Sequence, residues 1–358
     1  MTSYEEISQE AVNFFRKLLG SADPNVKRCT GSLLAELHPK TLSDEAQADL
    51  IKEITPEEIK AAMFAIDGGK SPRPDGFTAH FFKEAWSIVG RDVVEVVEYF
   101  FQSTDLSPAF NSTIVALVPK CNNPISMTDF RPISCCAVIY KCITKIMADR
   151  LKRFLPFIIE RNQSAFIRGR SITDNILLAQ EMVRGYGRTT LSPRCVMKID
   201  LRKAFDSLDW DFVLDVMVSL RFPIQYINWI RKCVTTPRFS ISVNGGLVGY
   251  FKGARGIRQD DPLPPYIFVI AMNVLSNLLN AVAAQGVFKF HPKCKKINFT
   301  HLCFTDDLLI LTKGDLDSVV GIQKVLGLFY SISGLQLNCE KSKLFSTGMQ
   351  RSKLEEIH

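Results

Sequence analysis

The sequence predicts an α+β protein, mainly helical in its first half and an antiparallel sheet backed by helices in its second. Between Cys195 and Thr347, short apolar runs such as "CVMKIDL", "FSISVNGGLVGYFKGARG" and "FTDDLLIL" have the character of strands and alternate with longer helical stretches. Strand, helix, hairpin, helix, strand is the order of a split β-α-β unit. The composition agrees: 358 residues, 46% hydrophobic and 23% charged, make an ordinary globular chain, long enough for two or three lobes around a shared core.

Each element has its local reason. "EEISQEAVNFFRKLLG" spaces its apolar residues along one helix face, and "SADPN" and "LHPKTLS" read as a looser linker. In "ITPEEIKAAMFAI", Thr55 can cap a helix, Pro56 suits its first turn, and Glu57 and Glu58 complement its dipole; Gly68 and Gly69 end it. A Pro and Gly loop, "KSPRPDGF", leads into another helix. "STIVALVPK" is a strand ending at Lys120, and "DFRPISCC" is a turn before a long helix. The polar loop "NQSAFIRGRSITDNI" precedes a helix running to about Arg184; Arg168 and Arg170 within it could grip phosphates, although exposed arginines without a ligand are commoner. After "SPR" come the strand to Asp200, the helix "RKAFDSLDWDFVLDVMVSL" and a hairpin turning near Asn244 to Gly246. The buried helix "PLPPYIFVIAMNVLSNLLNAV", a second hairpin at Asp306 and Asp307, the helix "DLDSVVGIQKVLGLFYSISG" and a short strand pair around "LQLNCEKSKLFST" complete the series.

Lys and Arg number 44 against 37 acids, a net +7 that permits a polyanionic partner without requiring one. The ten cysteines form no even framework, and "MTSYEEISQE" lacks the basic flank and apolar core of a signal peptide, so a reducing, intracellular setting is expected. The apolar stretch "YIFVIAMNVLSNLLNAVAAQ" is broken by Asn273, Asn277 and Asn280 and reads as a core helix, not a membrane span. Cys294, His301 and Cys303 fit no common zinc spacing, and packing is the preferred reading for them.

The chemistry concentrates in "HLCFTDDLLILT". Asp306 and Asp307 interrupt an apolar run in which an unpaired charge would be costly. An exposed hairpin turn would accommodate them. So would a divalent metal ion, which needs a third carboxylate. Asp200 supplies it if the strand "VMKIDL" pairs beside the hairpin; alone it reads as a helix N-terminal acid. Carboxylates from adjacent strand ends can clamp two Mg²⁺ ions for phosphoryl transfer, one activating a 3′ hydroxyl and one holding a triphosphate. Phe205, five residues after Asp200, could return to the same site, where its ring would collide with a nucleotide 2′ hydroxyl, although a lone Phe is more often core.

Seven segments in order, "KSPRPDGF", "LVPK" with "FRPIS", "NQSAFIRGRSITDNI", "MKIDLRKAFDSLDW", "RGIRQDDPLPPYIF", "FTDDLLIL" and "GLQLNCEKSK", closely resemble the reverse transcriptase domain of LINE-type, non-LTR retrotransposons, particularly those of plants. The resemblance spans about Ile54 to Ser346 and implies a right-hand polymerase with fingers and palm. It implies an N-terminal helical extension and linker (1–53), fingers (54–194), a palm (195–346) and a truncated tail (347–358), with the thumb largely absent. The implied function is RNA-directed DNA polymerase, adding deoxynucleotides to a DNA 3′ end on an RNA template with two Mg²⁺ ions, Mn²⁺ being a substitute. Asp200, Asp306 and Asp307 are then the catalytic metal ligands and Phe205 the steric gate. Lys120 and Arg131 are basic finger positions near the triphosphate, Gln259 lines the nucleotide and template pocket, and Lys341 is a general acid for departing pyrophosphate. The implied partners are RNA template, DNA primer and deoxynucleoside triphosphates, with no membrane, in the nucleus.

Four positions depart from the family pattern. Arg73 stands where "SPGPDGF" has Gly, in a loop expected to tolerate it; Thr305 replaces Ala and is small and β-compatible. "RQDDPLPP" replaces "RQGDPLSP", so Asp260 takes the place of a Gly that lets the main chain approach nucleotide and template, and Pro264 that of a Ser. A carboxylate facing phosphates in a desolvated site is repulsive. These changes, with a chain stopping just past the palm motifs, predict strongly reduced or absent polymerase activity. The competing reading is a silent remnant or domesticated copy that at most binds nucleic acid; a template-independent palm-type nucleotidyltransferase or cyclase explains neither "FRPIS" nor "IRGRSITDNI".

Overall fold

The computed structural model describes residues 3–29, 31–70, 75–188 and 192–348. Its strands are β1 (Ser112–Pro119), β2 (Phe130–Cys136), β3 (Arg194–Ile199), β4 (Arg238–Val243), β5 (Gly246–Lys252), β6 (His301–Phe304), β7 (Asp307–Lys313) and β8 (Lys343–Thr347). They form two four-stranded sheets, ordered β2-β1-β4-β5 and β6-β7-β3-β8. Every pairing is antiparallel except β1 with β4. The fold is the α+β arrangement expected, with helices against both sheets.

The second sheet carries the acids. β3 lies between β7 and β8, and Cys195 and Val196 are almost wholly buried there, which is why it reads as a continuous apolar run. Behind it, the helix Pro264–Ala284 is long and apolar enough to cross a membrane, yet its sequence is packed into the main core. The three asparagines show why an apolar helix needs them. Asn273 accepts from the Glu160 amide at 2.8 Å and donates to the Ile158 carbonyl at 3.2 Å, and Asn280 accepts from Thr300 at 2.6 Å. These bonds pin the loop after Leu155–Ile158 and the start of β6 to one rigid rod. Asn277 is also buried.

Capping follows the local code. Ser3 caps Tyr4–Leu19, Thr55 caps Pro56–Ala65 by accepting from the Glu58 amide, and Asp315 caps Leu316–Ser333, which ends on left-handed Gly334. Pro264 opens the long helix at its first turn, where no intrahelical N–H bond is lost, and Leu263 before it sits in the right-handed helical region that a following proline disfavours.

The structure corrects several expectations. "FRPISCC" is a strand, not a turn: it pairs along β1 from Thr113↔Cys136 to Pro119↔Phe130 and tolerates Pro132 because it is an edge strand. The β4–β5 hairpin joins β1 and β2 in the first sheet, where β1 runs parallel to β4 from Ser112↔Arg238 to Ala116↔Ser242, and not the sheet of Asp200. The N-terminal helix packs Phe15, Leu18 and Leu19 with Val115, Phe239 and Phe251, so it belongs to that sheet's core. The supposed linker contains helices Gly31–Leu37 and Asp44–Ile51, and Ile224–Thr235 is a further helix. Arg170 does not offer itself to phosphate: its guanidinium donates to the carbonyls of Glu160, Gln163, Pro156 and Ile159 and ties the polar loop together. Arg73 lies outside the described residues.

Candidate active site

The acids meet through strand register. β3 pairs with β7 from Arg194↔Lys313 to Ile199↔Leu308, so Asp200, next after Ile199, falls beside the β6–β7 turn that carries Asp306 and Asp307. Asp306 is pushed above the usual carboxylate range, first by burial and then by the charges of Asp307 and Asp200. Asp200 is held from the far end of the motif series. Asn338 donates its side-chain amide to the Asp200 carboxylate at 2.9 Å and its backbone N–H to the Asp200 carbonyl at 2.8 Å, while Ser342 Oγ accepts from the Asp200 amide at 3.1 Å.

The turn between the strands is itself strained. Thr305 has φ +57, a left-handed conformation that suits a β-branched residue poorly, so β-compatibility was the wrong test for this position. Buried Gln163 compensates. Its side-chain oxygen accepts from the Thr305 amide at 3.1 Å and its nitrogen donates to the Thr305 carbonyl at 3.3 Å. The polar loop thus clamps both backbone groups of the residue preceding Asp306.

A cleft of about 910 Å³ opens over this sheet end, and Asp200, Asp306, Phe205, Gln259, Lys120, Arg131 and Lys341 all line it. Lys120 and Arg131 reach it from the β1–β2 hairpin, where the Lys120 amide donates to Asp129 O at 2.7 Å and Val118 pairs with Arg131. Phe205 stacks on buried Phe268 with ring centroids 4.7 Å and planes 13° apart, so Phe268 backs it on the side away from the cleft's opening. Gln259 donates to buried Asp206 at 3.2 Å. Burial raises Asp206 to about 6, and Lys203, Lys120 and Arg255 draw it back down; burial likewise lowers Lys203 to about 8. Lys203 lies over the Phe14 ring, 4.0 Å from its centroid. Asp307, exposed at the first position of β7, is not among the residues lining the cleft.

Asp260 corrects the expectation placed on it. It has φ +77, the conformation a Gly would favour, but its carboxylate does not stand bare before the cleft. One oxygen pairs with Lys70 and the other with buried Lys141 at 2.9 Å. Burial opposes its ionisation, and the two lysines outweigh that and hold it below the usual carboxylate range.

Among the described residues no three His, Cys, Asp or Glu side chains converge closely enough to hold one metal ion unaided. Mg²⁺ is commonly held by one or two carboxylates, with waters and substrate phosphates completing its octahedron. Asp200 and Asp306, hard oxygen donors on one wall and mutually repulsive, fit that donor set. The residues weighed as zinc ligands have other partners: His301 bonds Ser276 and Thr300, Cys303 meets Gln163, and Cys294 sits against Met182.

A family profile described as "Reverse transcriptase (RNA-dependent DNA polymerase)" matches residues 118–355, two thirds of the sequence. The chain belongs to the reverse transcriptase family. It is 26% identical over 338 residues, 94% of its length, to the Xenopus laevis "Transposon TX1 uncharacterized 149 kDa protein", and covers 25% of that protein. It is 24% identical over 344 residues, 96% of its length, to the Drosophila melanogaster "Retrovirus-related Pol polyprotein from type-2 retrotransposable element R2DM", covering 30% of it. A shorter match, 38% over 68 residues, is to an uncharacterised mitochondrial protein of Arabidopsis thaliana and covers 18% of the chain and 54% of that protein. The chain thus spans between a quarter and a third of the length of the two retroelement proteins.

Within this reverse transcriptase fold, sequence reasoning missed the residues that position others. Asn338 and Ser342 lie in the very segment from which Lys341 was singled out, and Asp206 lies one residue beyond Phe205. A second acid embedded in "KAFDSL" was the available signal for Asp206. Gln163 carried none, since a glutamine's partner 142 residues away is not legible from its neighbours.

Proposed function

We propose that the chain is the fingers and palm portion of an RNA-directed DNA polymerase from a LINE-type, non-LTR element of plant lineage. The reading divides it into fingers (54–194) and palm (195–346), with the β4–β5 hairpin on the fingers side, and assigns it to the nucleus. What chiefly supports it is one observation: two acids from neighbouring strand ends and two basic residues of the β1–β2 hairpin line a single cleft with Phe205 and Gln259. The ordered motif set and the Arabidopsis match support the plant lineage.

In this reading Asp200 and Asp306, with Asp307 on the adjoining strand end, would hold two divalent cations, Mg²⁺ or Mn²⁺, which when bound would supply charge stabilisation at the attacking and leaving oxygens. Lys120 and Arg131 neutralise the triphosphate of an incoming deoxynucleotide. Phe205, braced by Phe268, excludes a 2′ hydroxyl. Gln259, oriented by Asp206, forms the floor for nucleotide and template, and Lys341 delivers a proton to departing pyrophosphate. Asn338 is a positioning residue acting through Asp200.

Extension of a DNA primer on an RNA template, with Mg²⁺ or Mn²⁺, tests the proposal. The expected result is extension by the unmodified chain that falls at least a hundredfold in Asp306→Ala and in Asp200→Asn, with ribonucleotide incorporation rising in Phe205→Ala. Extension that survives loss of Asp306 overturns the site assignment, and no extension by the unmodified chain overturns the activity.

A further inference from the structure

Asp260 is held by two cations from different elements. Lys141 lies on the helix Val138–Leu151 with a side chain only 4% exposed, and Lys70 follows the turn after Pro56–Ala65. They converge on opposite oxygens of one carboxylate, whose backbone is left-handed to bring it there. Lys145, which lines the same recess, is paired with Asp149 at 2.6 Å, and buried Asp261 accepts from Thr144 at 2.6 Å and has Arg258 as its foremost counter-charge with Lys141 behind it, so Asp260 is the carboxylate that meets Lys141 directly. The recess beside the trio has a volume of about 330 Å³ and carries three lysines, Lys70, Lys141 and Lys145, and four acids, Asp67, Asp149, Asp260 and Asp261, of which Asp149 is neutralised by Lys145. Asp260 also lines the larger cleft of the acids, so it stands where the two spaces meet.

We propose that Lys70 and Lys141 form an oxyanion-binding site, of the class that takes a phosphate or diphosphate group, which this chain fills with its own Asp260 carboxylate. The chemistry is that of any charge-assisted bond: an ammonium donates to carboxylate and phosphate oxygens alike, and a diphosphate offers more of them. Lys141 enforces the competition. Asp260 occupies the hydrogen-bonding position on the Lys141 ammonium, so an external anion takes that position as Asp260 leaves it. Asp260 is therefore a built-in competitor rather than a charge that repels substrate across the cleft. The proposal goes beyond the polymerase reading and does not depend on it.

Calorimetric titration of the whole chain with inorganic pyrophosphate, in metal-free buffer containing a chelator and without nucleic acid, tests it. Asp260→Gly is expected to bind pyrophosphate at least tenfold more tightly than the unmodified chain, and added salt should weaken that binding. Combining Asp260→Gly with Lys141→Met should return affinity to the unmodified level. A parallel titration with a deoxynucleoside triphosphate assigns the site: tighter binding than pyrophosphate marks a nucleotide tail, and equal or weaker binding marks free diphosphate. Should Asp260→Gly fail to fold, Asp260→Asn, which keeps the volume and removes the charge, is scored in the same way. Equal affinity in the unmodified chain and the Asp260 variant, or tight binding that survives Lys141→Met, overturns the proposal. Because the titration contains no metal, template or primer, its failure is separate from failure of the polymerase assignment.

Discussion

At the scale of single residues, the cleft trades stability for arrangement, and two substitutions measure the trade. Asp206 ionises at about 6 in the folded chain against an ordinary 3.8, because burial disfavours its charge. A raised carboxylate favours folding only while protonated: that contribution is complete below pH 3.8 and is lost as pH rises through 6. Asp206→Asn, which keeps the oxygen that Gln259 meets, should match the unmodified chain near pH 3.8 and exceed its stability by roughly 3 kcal/mol at pH 8, as denaturant unfolding at a series of pH values would read. Thr305→Gly removes a side chain from a left-handed position and should raise stability by about 1 kcal/mol in the same assay, net of the freedom glycine adds to the unfolded chain. That Asp200, Asp306 and Phe205 come together was legible in short local motifs, whereas Asp307, read with them, does not line the cleft. The partners of Asp260 were not legible, since Lys70 and Lys141 lie 190 and 119 residues away. A charge reads as unpaired until the fold brings its counter-ion.

At the scale of elements, the longer helices and most strands followed from periodicity and capping; the helices Gly31–Leu37, Asp44–Ile51 and Ile224–Thr235, the strand β2 and the pairing of the strands escaped. β2 contains a proline and reads as a breaker; only its place at the edge of a sheet makes it a strand. The β4–β5 hairpin was recognisable as a hairpin, but nothing in its sequence names β1 as its neighbour. The segment Gly256–Gln259 is the clearest case of one element setting another. Its Ile257 amide bonds the Phe205 carbonyl at 2.7 Å, its Gln259 reaches Asp206, and Gly256, at φ +80, passes so close that a Cβ would lie 2.6 Å from the Asp206 carbonyl oxygen. Gly256→Ala should therefore cost about 1–2 kcal/mol from the backbone conformation alone, with the overlap adding to it, and should displace Phe205 and Gln259 together. Thermal unfolding checks the first effect. On the proposed polymerase reading, discrimination between deoxy- and ribonucleotides, compared with the unmodified chain, checks the second.

At the scale of the whole molecule, the two sheets are not two separable units, although the chain order suggests a clean division near residue 194. β4 and β5 come from the second half and complete the sheet begun by β1 and β2, and the N-terminal helix covers that sheet. A fragment of residues 195–348 would leave the β1-facing edge of β4 unpaired, so it should aggregate where residues 3–348 remain soluble, as size-exclusion chromatography of the two would show. The register Ser112↔Arg238 also has a meaning for biosynthesis. The neighbour that closes the open side of β1 is made 126 residues after it, 238 less 112. At about 5–20 residues per second the ribosome needs roughly 6–25 s to supply it. For that interval the side of β1 that β4 later covers has no partner within the nascent chain, and slower translation lengthens the interval in proportion.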